Sequence, residues 1–180
     1  DNIISSFGKT SVDQNKKYFL KGEDIFFDRN KNKIYSEKKA LITDSWRNRI
    51  DINEYKILLN DNLLVTENAE LIDSELNTYS IKKLYYDFKQ KKILGKDIAV
   101  NKNNKLSKKD YLPRIKSKSL IFENDQTNLK KTVYTHCKKR DGCPPWLIES
   151  EEIIHDKKNK IINYKNATLK IYDVPVMYFP

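Results

Sequence analysis

Two cysteines and two histidines are the side chains in this sequence best suited to hold a metal or act as nucleophiles. Cys137 and Cys143 stand six residues apart, His136 precedes the first, and His155 follows the second. A structural zinc site needs four ligands, usually in paired short spacings. No Cys-x-x-Cys pair is present, so no metal site is expected. In an oxidising compartment the two thiols would instead form disulfides, with each other or with a segment elsewhere. The paired carboxylates Glu151 and Glu152 would point to opposite faces of a strand and are expected to be solvated. No glycine-rich phosphate loop and no nucleophile motif occurs. The expectation is a protein with no enzymatic activity and no cofactor.

The elements that position these side chains have to be built from 180 residues, a length that suits one domain with a real core. Hydrophobic residues make up 38% and charged residues 33%. No apolar run approaches the roughly 18–20 residues of a membrane-crossing helix. Asp1 to Thr10 lacks a basic start followed by an apolar stretch, so a secreted protein would already have shed its signal. The formal net charge of +10 points to an anionic partner such as nucleic acid, a membrane surface or a phosphorylated lipid. A genome rich in Lys, Asn and Ile codons would give the same balance. Small basic clusters occur at Lys89–Lys92, Lys105–Lys109 and Lys138–Arg140, but no block reads as a nucleic-acid arm.

Short apolar segments recur between polar turns. Ile25-Phe26-Phe27 precedes Asp28 to Lys33 and then Ile34-Tyr35. The same sequence of events appears around Asn60-Asp61-Asn62, Asp87 to Lys92, and Asp156 to Lys160. Such runs read as β-hairpins. Aligned on Ala40, Ala69, Ala99 and Ala167, the hairpins are copies of one another. Ile34, Leu63, Ile93 and Ile161 stand six residues earlier. Ser36, Val65, Gly95 and Asn163 stand four earlier, and Ile42, Leu71, Asn101 and Leu169 two later. On the opposing arms stand Ile25, Ile57, Leu84 and Ile153. The first three alanines are 29 and 30 residues apart, a period that signals stacked two-strand units. The fold is therefore expected to be all-β, with roughly ten to twelve antiparallel strands. Even offsets place one set on one face: Ile25, Ile34, Ala40, Ile42, Ile57, Leu63, Val65, Ala69, Leu71, Leu84, Ile93, Ala99, Ile153, Ala167 and Leu169. That face is either a core filled by its own side chains or an apolar groove filled by a guest. Leu106 to Thr132 reads as a longer excursion containing at least one strand.

Residues 132–180 are the most specific part of the chain. Cys137 and Cys143 are followed by Pro144-Pro145-Trp146-Leu147-Ile148, then Ile153 to Asp156, Asn166-Ala167, and Val174-Pro175-Val176-Met177-Tyr178-Phe179-Pro180. In content and order this resembles the LptD family, also called OstA, and residues 19–101 resemble the repeat shared by periplasmic lipopolysaccharide carriers. The resemblance implies an open, V-shaped β-jelly roll over residues 19–173, preceded by an extension at 1–18 and followed at 174–180 by the lead into an outer-membrane β-barrel. It implies that the even-offset set lines a groove for the acyl chains of lipid A, at the periplasmic face of the outer membrane of a Gram-negative bacterium. Implied partners are lipopolysaccharide, an LptA-like bridge protein of the same fold added at an edge strand, and an LptE-like lipoprotein reached through the barrel. It also implies disulfide-bonded cysteines, Cys137 and Cys143, either paired locally or linked to the barrel. Competing readings are a soluble LptA-like carrier, a basic nucleic-acid-binding β protein, and a β-solenoid adhesin. The aromatics lie mostly within alternating apolar strands, which favours a core over a nucleic-acid platform, and no nucleic-acid partner is expected.

Overall fold

The computed structural model describes residues 2–14, 18–44, 48–101, 113–124, 126–137 and 144–180. Its regular elements are all strands: β1 (Ile3–Gln14), β2 (Tyr18–Asp28), β3 (Lys33–Ser36), β4 (Ala40–Asp44), β5 (Arg49–Ile52), β6 (Glu54–Leu58), β7 (Leu63–Ile72), β8 (Thr78–Asp87), β9 (Lys92–Asn101), β10 (Arg114–Glu123), β11 (Gln126–Thr135), β12 (Trp146–Asp156), β13 (Ile161–Ile171) and β14 (Val174–Phe179). The all-β hairpin fold expected from the sequence is the one observed. Fourteen strands stand where ten to twelve were expected because two arms are each broken midway, one into β3 and β4 and the other into β5 and β6.

The hairpins close as their Asx content predicts. Asp28, Asp87 and Asp156 accept backbone N–H bonds from Lys31, from Lys89 and Gln90, and from Asn159. Four residues after each aspartate, Asn32, Lys91 and Lys160 take left-handed backbone angles that return the chain.

All strands belong to one antiparallel sheet with the order β14-β13-β12-β11-β10-β9-β8-β7-β5-β4-β2-β3-β6, and β1 pairs with β2. The sheet is folded sharply across its strands. In β7, residues 63–67 pair with β6 while residues 70–72 pair with β5. In β2, residues 26–28 pair with β3 and residues 18–22 with β4. One layer thus holds β3, β6 and the adjoining stretches of the long strands. The second layer holds β4, β5, β14 and the remaining stretches. Residues 3–14 and 174–179, which the sequence sets apart from the repeats, both pair with this sheet.

The corner between the layers has a chemical signature. From β7 to β13 it runs through Asn68, Lys82, Asp97, Lys118, Lys131, Glu151 and Asn166. Each is skipped by the ladder between two paired neighbours, and each is exposed. In alternate strands the corner residue has a positive φ: Asn68 (54°), Asp97 (50°), Lys131 (51°) and Asn166 (49°), with Asp24 (48°) doing the same in β2. Asx side chains tolerate that region better than most. Two successive side chains point outward at each corner, so the alternation changes phase there. Relative to the left-handed residue, the inward positions are −4, −2, +1 and +3. In β7 these are Leu64, Thr66, Ala69 and Leu71, and in β9 they are Ile93, Gly95, Ile98 and Val100, all buried.

Inward hydroxyls near the corner bond to carbonyls of the neighbouring strand. Thr66 Oγ1 donates to Glu54 O (2.6 Å), Ser117 Oγ to Lys130 O (2.7 Å), Ser150 Oγ to Lys165 O (2.9 Å) and Ser36 Oγ to Glu23 O (2.9 Å). Left unpaired, each buried carbonyl would cost about 1–3 kcal/mol. Gly95 serves the same region by having no side chain, since a Cβ there would stand 3.1 Å from Ile81 Cγ2 and 3.3 Å from Leu120 Cβ. Gly95→Val is expected to destabilise the fold by about 1–3 kcal/mol through overpacking, read as a lowered urea midpoint at unchanged slope.

Leu106–Thr132 differs from its reading as an excursion. It contains β10 and the start of β11, a hairpin of the same design with its corner at Lys118 and Lys131. No alanine marks that corner; Thr132 stands in its place. Lys105–Lys109 and Tyr111 lie outside the described residues.

Candidate functional site

Between the layers the interior changes character along the strand order. From β4 to β10 it is filled, except for a recess of about 330 Å³ at the mouth beside Tyr86, Ile93 and Phe122. Ile42, Ile50, Ile52, Leu64, Leu71, Ile81, Leu84, Tyr86, Ile93 and Leu120 are essentially inaccessible to solvent. Toward β11–β14 the filling stops. A cavity of about 300 Å³ lies there, walled by Tyr79, Val100, Ile115 and Tyr134 on one layer and by Leu129, Ile153, His155, Ile162 and Tyr164 on the other. β14 pairs only with residues 167–171 of β13. The layer carrying Ile162 and Tyr164 therefore ends at β13, whereas the other continues. Alternation puts Met177 and Phe179 on the inner face with Leu169 and Ala167, their cross-strand partners. Ile162 is 41% exposed, Tyr164 38%, Met177 53% and Phe179 45%. This is an apolar wall without a covering layer.

The sequence-predicted set divides across this plan. Ile25, Ala40, Ile42, Ile57, Ala69, Leu71, Leu84, Ile93, Ile153 and Ala167 are buried on the inner face, and Ile34 and Leu169 lie half-buried on it. Leu63, Val65 and Ala99 are instead half-buried on the outer face. The cause is the phase change at the corner. Leu64 and Thr66 point inward before Asn68 and Ala69 after it, and in β9 the residue that follows the corner is Ile98, not Ala99. Only Ile153 of the set walls the cavity.

The mouth opposite the corner is polar. Asp73, at the end of β7, is buried and accepts from Asn77 N (2.9 Å), Asn77 Nδ2 (3.0 Å), Glu75 N (3.0 Å), Tyr79 Oη (3.1 Å) and Lys157 Nζ (2.7 Å). Lys157 comes from the turn after β12, on the other layer, and also sits 4.9 Å from the centre of the Phe122 ring. Asp44 repeats the arrangement with Asn48 N (2.9 Å) and Asn48 Nδ2 (2.8 Å), and Tyr86 Oη reaches it across the layers at 3.4 Å. Sequence reading missed both turns. Their signal is Asp-Ser-x-x-Asn occurring twice, at Asp44 and Asp73, 29 residues apart like the first two alanines.

Burial by itself would raise the Asp73 carboxyl, but hydrogen bonds from Lys157 and Asn77 and the lysine charge outweigh it and hold the group below its ordinary value of 3.8. A group depressed in the folded state stabilises the fold above its unfolded value, and that contribution is lost as pH falls through the folded one. Thermal midpoints are therefore expected to drop in acid below about pH 4, more steeply in the wild type than in Asp73→Asn. Circular-dichroism melts across this range check it.

No protein-family model matches the sequence. Over all 180 residues the chain is 24% identical to a protein of Shewanella denitrificans, the LPS-assembly protein LptD. It resembles an LPS-assembly protein. The match takes in 100% of this chain and 20% of LptD, so the chain spans about a fifth of the length of that relative. The motifs that carry the sequence resemblance to LptD fall on the last three strands. Trp146-Leu147-Ile148 opens β12, Asn166-Ala167 makes the corner of β13, and Val174–Phe179 is β14. They adjoin the unfilled end of the interior. Cys137 is buried, its Sγ 3.6 Å from Trp146 O, and it bonds to no other cysteine among the described residues. Cys143, its expected partner, lies outside the described residues.

Proposed function

We propose that the chain takes part in lipopolysaccharide transport and assembly at the outer membrane, shielding acyl chains between its layers without performing chemistry. The observation that carries this reading is the unfilled end of the interior, from the cavity at β11 to the uncovered faces of β13 and β14. Acyl chains cross water at about 0.8 kcal/mol per exposed methylene, and an apolar slot with an open side removes that cost while leaving sugars and phosphates in solvent. The likeness to LptD supports lipopolysaccharide as the guest. On this reading the domain stands at the periplasmic face of the outer membrane. A bridge protein of the same fold delivers the lipid by adding to an edge strand. β1 offers such an edge, with Ile3, Ile4 and Phe7 exposed on it. An LptE-like lipoprotein and a β-barrel belong to the same proposal, as does oxidation of Cys137 and Cys143, which non-reducing mass spectrometry of exported protein reads directly.

A photo-crosslinking residue at Tyr164 is expected to label lipopolysaccharide in cells. The same residue at Ala69, inside the filled stretch, is expected not to label. A folded protein that never labels from Tyr164 would leave only a scaffold role. Fractionation separates the LptD-like reading from a soluble LptA-like carrier, since only the former predicts retention with the outer membrane. The nucleic-acid reading finds its aromatics on the outer face, where Phe26 stacks on Tyr35 (5.4 Å), Phe7 meets Phe26 edge-on (6.1 Å), and Lys33 caps Tyr35 at 4.4 Å. These rings already occupy one another's faces, which argues against a base-stacking platform.

A further inference from the structure

We propose that Asp73 and Lys157 form a clasp across the mouth of the folded sheet, and that the phosphate of an anionic amphiphile opens it by competing for Lys157; this rests on the carrier reading above. The pair joins the two layers over 84 residues of sequence. Side-chain exposure is 0% for Asp73 and 12% for Lys157, so water competes little for either. Its position in the strand order matters. Toward β10 the interior is filled, and toward β13 and β14 it is open. A chain advancing from the open end into the filled one has to part the layers at this point.

The two partners are unequally held. Without Lys157, Asp73 keeps four donors, from Asn77, Glu75 and Tyr79. Lys157 has Asp73 and the face of Phe122. It also borders a recess of about 330 Å³ at the mouth, whose wall includes Lys91 from the same layer and, from the other, Asp44, whose carboxylate accepts from Asn48 and Tyr86. A phosphate monoester carries nearly two charges at neutral pH and three strong acceptor oxygens, against one charge on Asp73. Placed at the mouth, it meets the Lys157 ammonium, with Lys91 bordering the same recess. The lysine then changes partner and the layers are free to separate.

The test is the binding of dodecyl phosphate and of dodecyl maltoside, both below their micelle concentrations, to the wild type, Asp73→Asn and Lys157→Gln. Asp73→Asn removes the competitor, so dodecyl phosphate is expected to bind about tenfold more tightly, within the usual range of coupled equilibria, with maltoside affinity unchanged. Lys157→Gln is expected to lose the preference for phosphate. If both amphiphiles bind the wild type but Asp73→Asn binds the phosphate no more tightly, the clasp is overturned and the carrier reading stands. If neither amphiphile binds the wild type, both fall. Should Asp73→Asn fail to fold, Lys157→Gln decides, and a retained preference for phosphate overturns the clasp.

Discussion

Arginine at Ala69 is expected to unfold the protein, whereas arginine at Tyr164 is expected to leave it folded and, on the carrier reading, to abolish acyl-chain binding. Ala69 is 3% exposed and follows the corner in β7, paired with the equally buried Ile81. A charge placed there costs several kcal/mol unless it reaches water, against a total stability of about 5–15 kcal/mol for a domain. Its inner face belongs to the filled core with Leu64, Leu71 and Ile81, all essentially inaccessible to solvent. Tyr164 faces the same interior from β13, the last strand of its own layer, and is 38% exposed. An arginine there can extend its guanidinium into solvent, so the fold survives and the slot is lost. The sequence alone would choose Val65 and Ala69 for this experiment. Val65 turns out to lie on the outer face and Ala69 in the filled core, so the informative site moves to β13. Circular dichroism and lipopolysaccharide binding read the two variants, and a folded Ala69→Arg protein would mean that the corner has room for a guest.

Neighbouring residues in β7 should differ as sharply. Leu64→Ala is expected to cost about 2–5 kcal/mol, because a fully buried leucine leaves a cavity between two layers that cannot collapse independently. Val65→Ala, one residue on, is expected to cost about 1 kcal/mol or less. If urea denaturation ranks the two in the opposite order, the phase change at Asn68 is misplaced.

That phase change marks where the sequence stops being readable. Turns and arms were legible because Asx- and Lys-rich punctuation is local: Asp28 with Asn32, and Asp156 with Lys160, close hairpins within five residues. The inner face was legible only on one side of each corner. Strict alternation from Ala69 and Leu71 would carry Leu63 and Val65 inward too, but the phase change at Asn68 turns them out, and a left-handed residue leaves little mark beyond an Asx that loops also use. Runs such as Ile25-Phe26-Phe27 and Leu84-Tyr85-Tyr86 blur the phase further. Phe26 pairs with Tyr35, Val65 with Tyr85, and Tyr85 with Leu94, which pairs with Ile121. This apolar row on the outer face makes both phases look buried. The open end of the interior and the contact between Asp73 and Lys157 were not legible, because they depend on which half of β13 receives β14 and on partners 84 residues apart.

The corner also makes the molecule extensible in fixed steps. Each arm presents the same four inward positions, and left-handed corners alternate with ordinary ones, so a whole hairpin is an interchangeable unit. Strands repeat every 4.7–4.9 Å across a sheet, so one bent hairpin lengthens the interior by roughly 9–10 Å without changing its cross-section. Excising Thr78–Asn101 would bring β10 beside β7, with Lys118 meeting Asn68 in the same alternation. Adding a single residue to one arm has no such neutrality, since it would turn half of that strand inside out. The length of the interior is therefore set by counting hairpins, and descendants of such a chain can lengthen or shorten it only in whole units.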